Sequence, residues 1–433
     1  MAVDLSYITF TEQDDIVPAS GEEQIVNTGI ANTLAGDDII IGTGRPNYFE
    51  NTDGESASIF NRGTLNTDDG DDIITGTGGR ITILNYGTIN TGDGNDIIRG
   101  IGKLSEASGQ GGLGIATSGG IGIDTGNGDD IVSGIGKEAN GIDINTSSIN
   151  TGDGNDTITG SGYQSGIDVN TLASIDTGKG EDRVTGIGIG GIVIIHQFNT
   201  GDGNDIITGN SVVPIGESAI SSVGISNGGI FNTGNGDDII TGTNTLSGRY
   251  GIINHFGAFM DTGDGNDLII SHGEFSNRSL VFLGKGNDLL FANANFANRG
   301  LENLNTIDTG DGNDIIISNG FIYNSGNINT GNGNDFILAN GGFKSGENSN
   351  GSVFLGDGED GIKGFGSGEF YGGSGNDTLD LTPGSYTVGI SETMVNFSKD
   401  STIMKTSEFE KLRAGSTIYD FASLTAGQII VVA

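Results

Sequence analysis

Thr91-Gly92-Asp93-Gly94-Asn95-Asp96-Ile97-Ile98 decides the fold, because the stretch does not stand alone. It returns unchanged at 200–207, and variants of it place their last aspartate at Asp38, Asp72, Asp96, Asp130, Asp156, Asp182, Asp205, Asp238, Asp267, Asp288, Asp314, Asp335, Asp360 and Asp377. Those fourteen copies follow one another at intervals of 17 to 34 residues. A motif recurring at this period marks a solenoid, in which each repeat is one coil and buries its apolar face only against its neighbours.

The residues around each aspartate alternate in strictness. Two positions on, the residue is always aliphatic, as in Ile98, Val132, Ile207 and Leu379. Four positions on, it is small in every copy but the last, where Leu381 stands. The position directly after the aspartate is looser and admits Thr157, Arg183, Gly361 and Thr378. Strict and loose positions alternating with period two describe a strand with one buried face. Upstream, an apolar residue lies seven before each aspartate, and Thr lies five before it except at Leu283, Leu355 and Gly372. Two short strands therefore flank a glycine-rich turn that carries the acids. The shortest regular coil, 21 residues between Asp267 and Asp288, leaves room for about three short strands and tight corners. The expected fold is an all-β, parallel β-solenoid of about fourteen coils, right-handed by the general rule for parallel crossovers.

The turn holds the chemistry. Gly-x-Gly lets the backbone take positive φ and approach a ligand closely, and a carboxylate follows at once. Carboxylates and free carbonyls are the oxygen ligands Ca²⁺ prefers, six to eight per ion. One turn cannot supply that many, but two turns stacked at about 4.8 Å can. All fourteen aspartates are candidate ligands, and the turns would hold a file of roughly a dozen Ca²⁺ ions. The alternative to metal is that the aspartates merely form Asx turns and stack in ladders, and asparagine ladders are expected in either case at Asn66, Asn90, Asn150, Asn199 and Asn232. Like carboxylates stacked at strand spacing repel unless a cation lies between them, which favours metal. An EF-hand at 261–267 is disfavoured, since no Glu closes the loop.

Gly372-Gly373-Ser374-Gly375-Asn376-Asp377-Thr378-Leu379-Asp380 fits the nonapeptide G-G-x-G-x-D-x-U-x without a mismatch, and the chain thereby resembles RTX (hemolysin-type) calcium-binding repeat proteins. The resemblance covers about 27–380. It implies a secreted protein whose repeats wind into a Ca²⁺-stabilised β-roll. Here the motif comes once per coil rather than in tandem, which implies one row of ions rather than two. The first copy, Leu34-Ala35-Gly36-Asp37-Asp38, lacks its first glycine, and Asp68 replaces that glycine in the second. Some RTX-like solenoids bind ice through a flat threonine row. The corresponding residues here are Asp93, Asn127, Asp153, Lys179, Asp202, Asn235, Asp264 and Lys285, never Thr, so ice binding is the less favoured expectation.

Composition narrows the function. Among 433 residues, 18 are basic and 56 acidic, for a formal net charge of −38. Such a chain repels nucleic acid and anionic membranes, and it cannot compact easily without cations. Glycine is 81 of the residues and no three-residue period is present, which suggests turns rather than collagen. There is no cysteine, hence no disulfide framework. Met1-Ala2-Val3-Asp4 does not read as a basic, apolar leader, and no apolar run is long enough for a membrane span. His196, His255 and His272 are dispersed, and neither HExxH nor a nucleophile elbow occurs, so no enzyme is expected.

The organisation expected is an N-terminal cap at 1–26, a calcium-binding solenoid at 27–380, and a C-terminal cap at 381–433. Tyr7-Ile8-Thr9-Phe10 reads as a covering strand, and Asp14 and Asp15 as solvated. Insertions such as 103–120 should emerge on one side, away from the ions. At 385–390, 394–397 and 402–404 the pattern reads as strands, and 407–412 as a short amphipathic turn. The tail from Ile418 to Ala433 is similar to type I secretion signals and also reads as a last capping strand. Outward positions turn apolar together at Leu268 and Ile270, Leu289 and Phe291, Ile315 and Ile317, Phe336 and Leu338, a patch that is either covered or used for self-association. The expected role is a secreted structural subunit of a surface layer, matrix, fibre or adhesin. A polysaccharide-binding or polysaccharide-modifying solenoid is the alternative. It calls for clustered exposed aromatics, and the aromatics here are scattered along the sequence.

Overall fold

The computed structural model describes all residues except 1, 19–22, 45–56, 103–111, 214–221, 245–249, 294–297, 347–350 and 392. Much of the insertion expected at 103–120 thus lies outside the described residues. The chain forms two compact units, Met1–Gly234 and Asn235–Ala433. Among the described residues there is no α-helix, and every sheet along the coils is parallel.

Among the described residues, a coil typically contributes three strands. An incoming strand such as Thr88–Asn90 leads into the turn, an outgoing strand such as Ile97–Ile101 leaves it, and a back strand such as Ile142–Asn145 closes the circuit. Within each unit, incoming strands pair with incoming, outgoing with outgoing and back with back. Equivalent residues stand in register, as Ile98 with Val132 and Ile89 with Ile123. This register follows from the strict positions. A one-residue slip would carry Ile98, Val132 and Ile158 from the interior to solvent.

Three apolar rows fill the first unit: Ile59, Ile83 and Ile115 on the back strands, Leu65, Ile89 and Ile123 on the incoming strands, and Ile74, Ile98 and Val132 on the outgoing ones, all buried. In the second unit, Phe275, Leu301 and Ile322 meet Val281, Ile307 and Ile328 and Leu290, Ile316 and Ile337. Burying each such side chain contributes about 1.5–3 kcal/mol. The small residue four positions after each aspartate also has its reason. A Cβ on Gly186 would lie 2.1 Å from the Gly191 carbonyl oxygen, so the back strand crosses that corner at backbone distance.

Beside the apolar rows, the back strands bury a run of asparagines that the sequence reading missed. Asn27 Nδ2 donates to Asn61 Oδ1 at 2.9 Å, and Asn61 to Asn85 at 2.8 Å. In the second unit Asn277 donates to Asn303 at 2.9 Å, and Asn303 to Asn324 at 3.0 Å. The half-exposed ladder that was expected is also present, with Asn90 bonded to Asn66 at 2.7 Å and Asn232 to Asn199 at 2.8 Å.

At the ends, the C-terminal strands stand where expected, and two other readings are corrected. Tyr7–Phe10 is not a strand. Asp4 Oδ1 accepts from the Ser6 N–H, which ends the strand Ala2–Asp4 and starts a 3₁₀ turn at Leu5–Tyr7. Ala2–Asp4 and Ile16–Val17 pair with the first back and outgoing strands. At the other end, Gly384–Ile390, Val395–Lys399, Thr402–Ser407 and Ile429–Val432 form an antiparallel extension of the incoming sheet. Residues 407–412 are not an amphipathic turn. Lys411–Ala414 continues the outgoing sheet beside Thr378–Leu381.

The outward apolar positions of the second unit stand in two adjacent columns. Leu268, Leu289, Ile315 and Phe336 pair in register, and so do Ile270, Phe291, Ile317 and Leu338. Ile315 and Phe336 are the most open, at 39% and 37% exposed, and the other six are half-buried.

Candidate metal centre

Most turns are built on two glycines at positive φ, with Leu34 (φ 69°) and Asp68 (φ 60°) taking the first of these places in the first two copies. Gly310 has φ +93°, and a Cβ there would lie 1.6 Å from the carbonyl oxygen of Gly284 in the preceding coil. A Cβ on Gly312 would lie 1.4 Å from the Gly286 carbonyl and 3.3 Å from Asp314 Oδ1. The turns thus stack at backbone distance, with glycine carbonyls facing the coil above and the aspartate tucked beneath. Gly310→Ala should cost about 3 kcal/mol or more, from a strained φ and a carbonyl clash together, read as a lowered thermal midpoint.

The repeat aspartates form a ladder in each unit. The N–H of Asp38 donates to Asp72 Oδ1 at 2.8 Å, Asp72 to Asp96 at 2.9 Å, Asp96 to Asp130 at 2.8 Å and Asp130 to Asp156 at 2.9 Å, and the run continues through Asp182 to Asp205. In the second unit, Asp238 donates to Asp267 at 2.9 Å, and the run passes through Asp288, Asp314, Asp335 and Asp360 to Asp377. All fourteen side chains named from the sequence are buried, at 3% exposed or less.

One oxygen of each accepting carboxylate is therefore taken by a backbone N–H. Oδ2 of Asp38, Asp72, Asp96, Asp130, Asp156, Asp182, Asp267, Asp288, Asp314, Asp335, Asp360 and Asp377 is buried without a hydrogen bond. Leaving a buried carboxylate oxygen unpaired is costly, and a native fold does so only for a reason. Burial drives the protonation equilibria upward. Asp288 is pushed up to about 8, Asp72, Asp130, Asp182 and Asp360 to about 7, and Asp96, Asp156, Asp267, Asp335 and Asp377 to about 6. Burial raises Asp38, Asp205 and Asp314 as well. Neighbouring carboxylates add to the effect, while the backbone N–H opposes it. The threonine five residues upstream, whose hydroxyl also faces the next threonine carbonyl, opposes it too. Asp288, with Leu283 in that place, lacks the hydroxyl and is raised most.

This donor set suits a hard cation. Among the described residues, no three acidic or histidine side chains group together as a side-chain-only metal site would require. What turns such as those of Asp96, Asp130, Asp288 and Asp314 offer is a buried carboxylate oxygen without a hydrogen bond and backbone carbonyls, the oxygen-only set that Ca²⁺ accepts and Zn²⁺ does not favour. The histidines stay apart from it. His196 Nδ1 lies 3.1 Å from the Ala173 carbonyl, and burial and Arg278 lower His255.

Two further groups join the ladder that sequence reading did not place there. The Asp15 backbone N–H donates to Asp38 Oδ1 at 2.8 Å, and the carboxylate of the exposed Asp14 accepts from the Asp37 N–H at 3.1 Å. At the far end, the Asp377 N–H donates to Glu410 Oε2 at 2.7 Å. Outside the ladder, the turn tips are exposed and mixed in charge, with Lys179 on Asp153 at 3.1 Å and Lys285 on Asp264 at 2.9 Å. Exposed ion pairs of this kind add little. Aromatics far apart in sequence meet across coils: Phe259 with Phe282 at 5.6 Å, and Phe354 stacked on Tyr371 at 4.8 Å.

No family model and no curated protein matches the chain. Among solved structures it is similar to an X-ray structure of a hyperactive, Ca²⁺-dependent, beta-helical antifreeze protein from an Antarctic bacterium, with a TM-score of 0.41 and 17% identity over 96% of each chain.

Proposed function

We propose that this chain is a secreted, calcium-binding structural protein whose coils fold when the ladder carboxylates take up Ca²⁺. The observation that carries the reading is the row of buried Oδ2 atoms without a hydrogen bond, at Asp72, Asp96, Asp130 and Asp156 in the first unit and at Asp267, Asp288, Asp314 and Asp335 in the second, in turns whose glycine backbones stack at contact distance. At a net charge of −38 the chain resists compaction, and a dozen Ca²⁺ ions would cancel roughly two dozen charges. Low Ca²⁺ inside the cell keeps it unfolded for export. Millimolar Ca²⁺ outside drives folding, since metal-binding free energy is then folding free energy. The C-terminal segment serves as the export signal before folding and as the cap after it.

No reaction is assigned to the protein. Its role is to be a subunit of a surface layer, matrix, fibre or adhesin, and the two apolar columns at 268–338 are the surface through which copies associate. Light scattering on a sizing column tests this. In Ca²⁺ the wild type should run as a multi-chain species, and in chelator as an expanded single chain. The double variant Phe291→Ser/Phe336→Ser should remain folded in Ca²⁺ yet elute as a monomer. If the double variant assembles like wild type, the patch has no such role. A wild type that stays monomeric in Ca²⁺ at all concentrations would remove the structural-subunit reading.

A further inference from the structure

We propose one more cation site, between the Asp377 turn and the C-terminal sheet, closed by Glu410 and the Glu408 carbonyl, through which Ca²⁺ latches that sheet onto the coils. The inference rests on the reading that the turn carboxylates hold Ca²⁺, and it extends the file beyond the repeats.

Register brings the groups together. Thr378 pairs with Lys411, so Asp377 stands opposite Glu410, and its N–H finds Glu410 Oε2 at 2.7 Å as the Asp360 N–H finds Asp377 Oδ1 and the Asp335 N–H finds Asp360 Oδ1. The cap reaches this position by a shortcut. Between paired Tyr371 and Ser407 and paired Thr378 and Lys411, the coil spends the six residues 372–377 and the cap only the three residues 408–410. Glu408 makes the tight bend at φ 62°. The bend leaves the Glu408 carbonyl over Gly372, where a Cβ would meet the Glu408 oxygen at 1.9 Å and Asp377 Oδ2 at 2.9 Å. Asp377 Oδ2 is buried without a partner, on a residue that is 0% exposed. A free carboxylate oxygen, a carbonyl and a second carboxylate thus converge between coil and cap, where the charges of Glu408, Glu410 and Glu359 all act on Asp377. Among the described residues neither Glu408 nor Glu410 has a salt-bridge partner.

A divalent cation answers that imbalance with the oxygen ligands it prefers. Glu410 is exposed while the repeat aspartates are buried, so this position is open to solvent and exchanges its ion most readily. Docking of the strands Gly384–Ile390, Thr402–Ser407 and Ile429–Val432 then follows Ca²⁺ concentration through this one site.

The test is hydrogen exchange on the full chain during a Ca²⁺ titration, comparing wild type with Glu410→Gln. Glutamine keeps an oxygen for the Asp377 N–H and removes only the charge. A purely structural role for Glu410 therefore leaves the titration unchanged, whereas a ligand role raises the Ca²⁺ needed to protect the cap strands by about tenfold or more. Coil peptides such as 97–101 should titrate as in wild type, and saturating Ca²⁺ should restore cap protection in the variant. Cap protection at the wild-type Ca²⁺ concentration, or none at saturation, overturns the latch while leaving the coil sites standing. If wild-type coils gain no protection from Ca²⁺, the calcium reading falls and the latch with it.

Discussion

Stripped of divalent cations, the protein will be folded near pH 5 and largely unfolded near pH 8, and Ca²⁺ will restore folding at pH 8. The ladder aspartates are raised from 3.8 to values of about 6 to 8, so the folded state holds protons that the unfolded state has released. A folded-state pKa above the unfolded value gives stability that is fully present below about pH 4 and is lost as pH rises through the folded pKa. A shift from 3.8 to about 7, as for Asp130, removes about 4 kcal/mol by pH 8. Several such groups, raised to between about 6 and about 8 and coupled to one another, together remove a free energy on the order of 10 kcal/mol, comparable to the whole stability of a typical protein. Calcium reverses the sign: with the ion bound, the carboxylates must be ionised, and stability rises with pH. Circular dichroism between pH 4 and 9, in chelator and in Ca²⁺, reads both limbs. A chelated protein whose stability is flat across that range would contradict the buried-ladder account.

The second large effect is a reversal within one variant. Asp130→Asn keeps the Oδ1 acceptor that the Asp96 N–H uses, and replaces the orphaned Oδ2 by an amide that can donate to a turn carbonyl. In chelator at pH 8 this removes a buried charge and should stabilise the fold by about 3–4 kcal/mol. In Ca²⁺ the same change removes a ligand and should destabilise it by a comparable amount. Asp130→Ala has no such reversal. It leaves the Asp96 N–H without its acceptor and should destabilise in both buffers, by about 1–3 kcal/mol from the lost hydrogen bond alone. Thermal melts of the two variants in two buffers give the four numbers. An asparagine variant stabilised in Ca²⁺ would mean that the ladder holds protons, not metal.

What the sequence reveals here is whatever repeats. Aliphatic residues two after each aspartate and small residues four after it give strand, register and interior face directly, because every coil meets the same neighbours. The glycines and aspartates of the turn are legible for the same reason. What does not repeat is hidden. The turn at Glu408–Glu410 contains no glycine and is half the length of the others, so nothing local marks Glu410 as the successor of Asp377. Asp15 stands before the first motif, and only pairing of Ile16–Val17 with the first outgoing strand brings it to Asp38. The buried asparagines at 27, 61 and 85 are an exception, since each stands 11 residues before its motif aspartate (Asp38, Asp72 and Asp96) and so repeats as regularly as the turn itself. Aromatic pairs such as Phe354 and Tyr371 look scattered along the chain because neighbours across coils are separated by a whole turn of the solenoid. Nor does the motif show that a backbone N–H claims one carboxylate oxygen, as the Asp96 N–H claims Asp130 Oδ1.

The most direct test of the central claim counts ions. The folded chain is equilibrated in millimolar Ca²⁺ and dialysed against a matched buffer, and calcium per chain is measured by elemental analysis. The account predicts on the order of ten or more ions per chain, falling by about one for each ladder aspartate changed to asparagine. A chain that is fully folded in that buffer with one ion or none would contradict it.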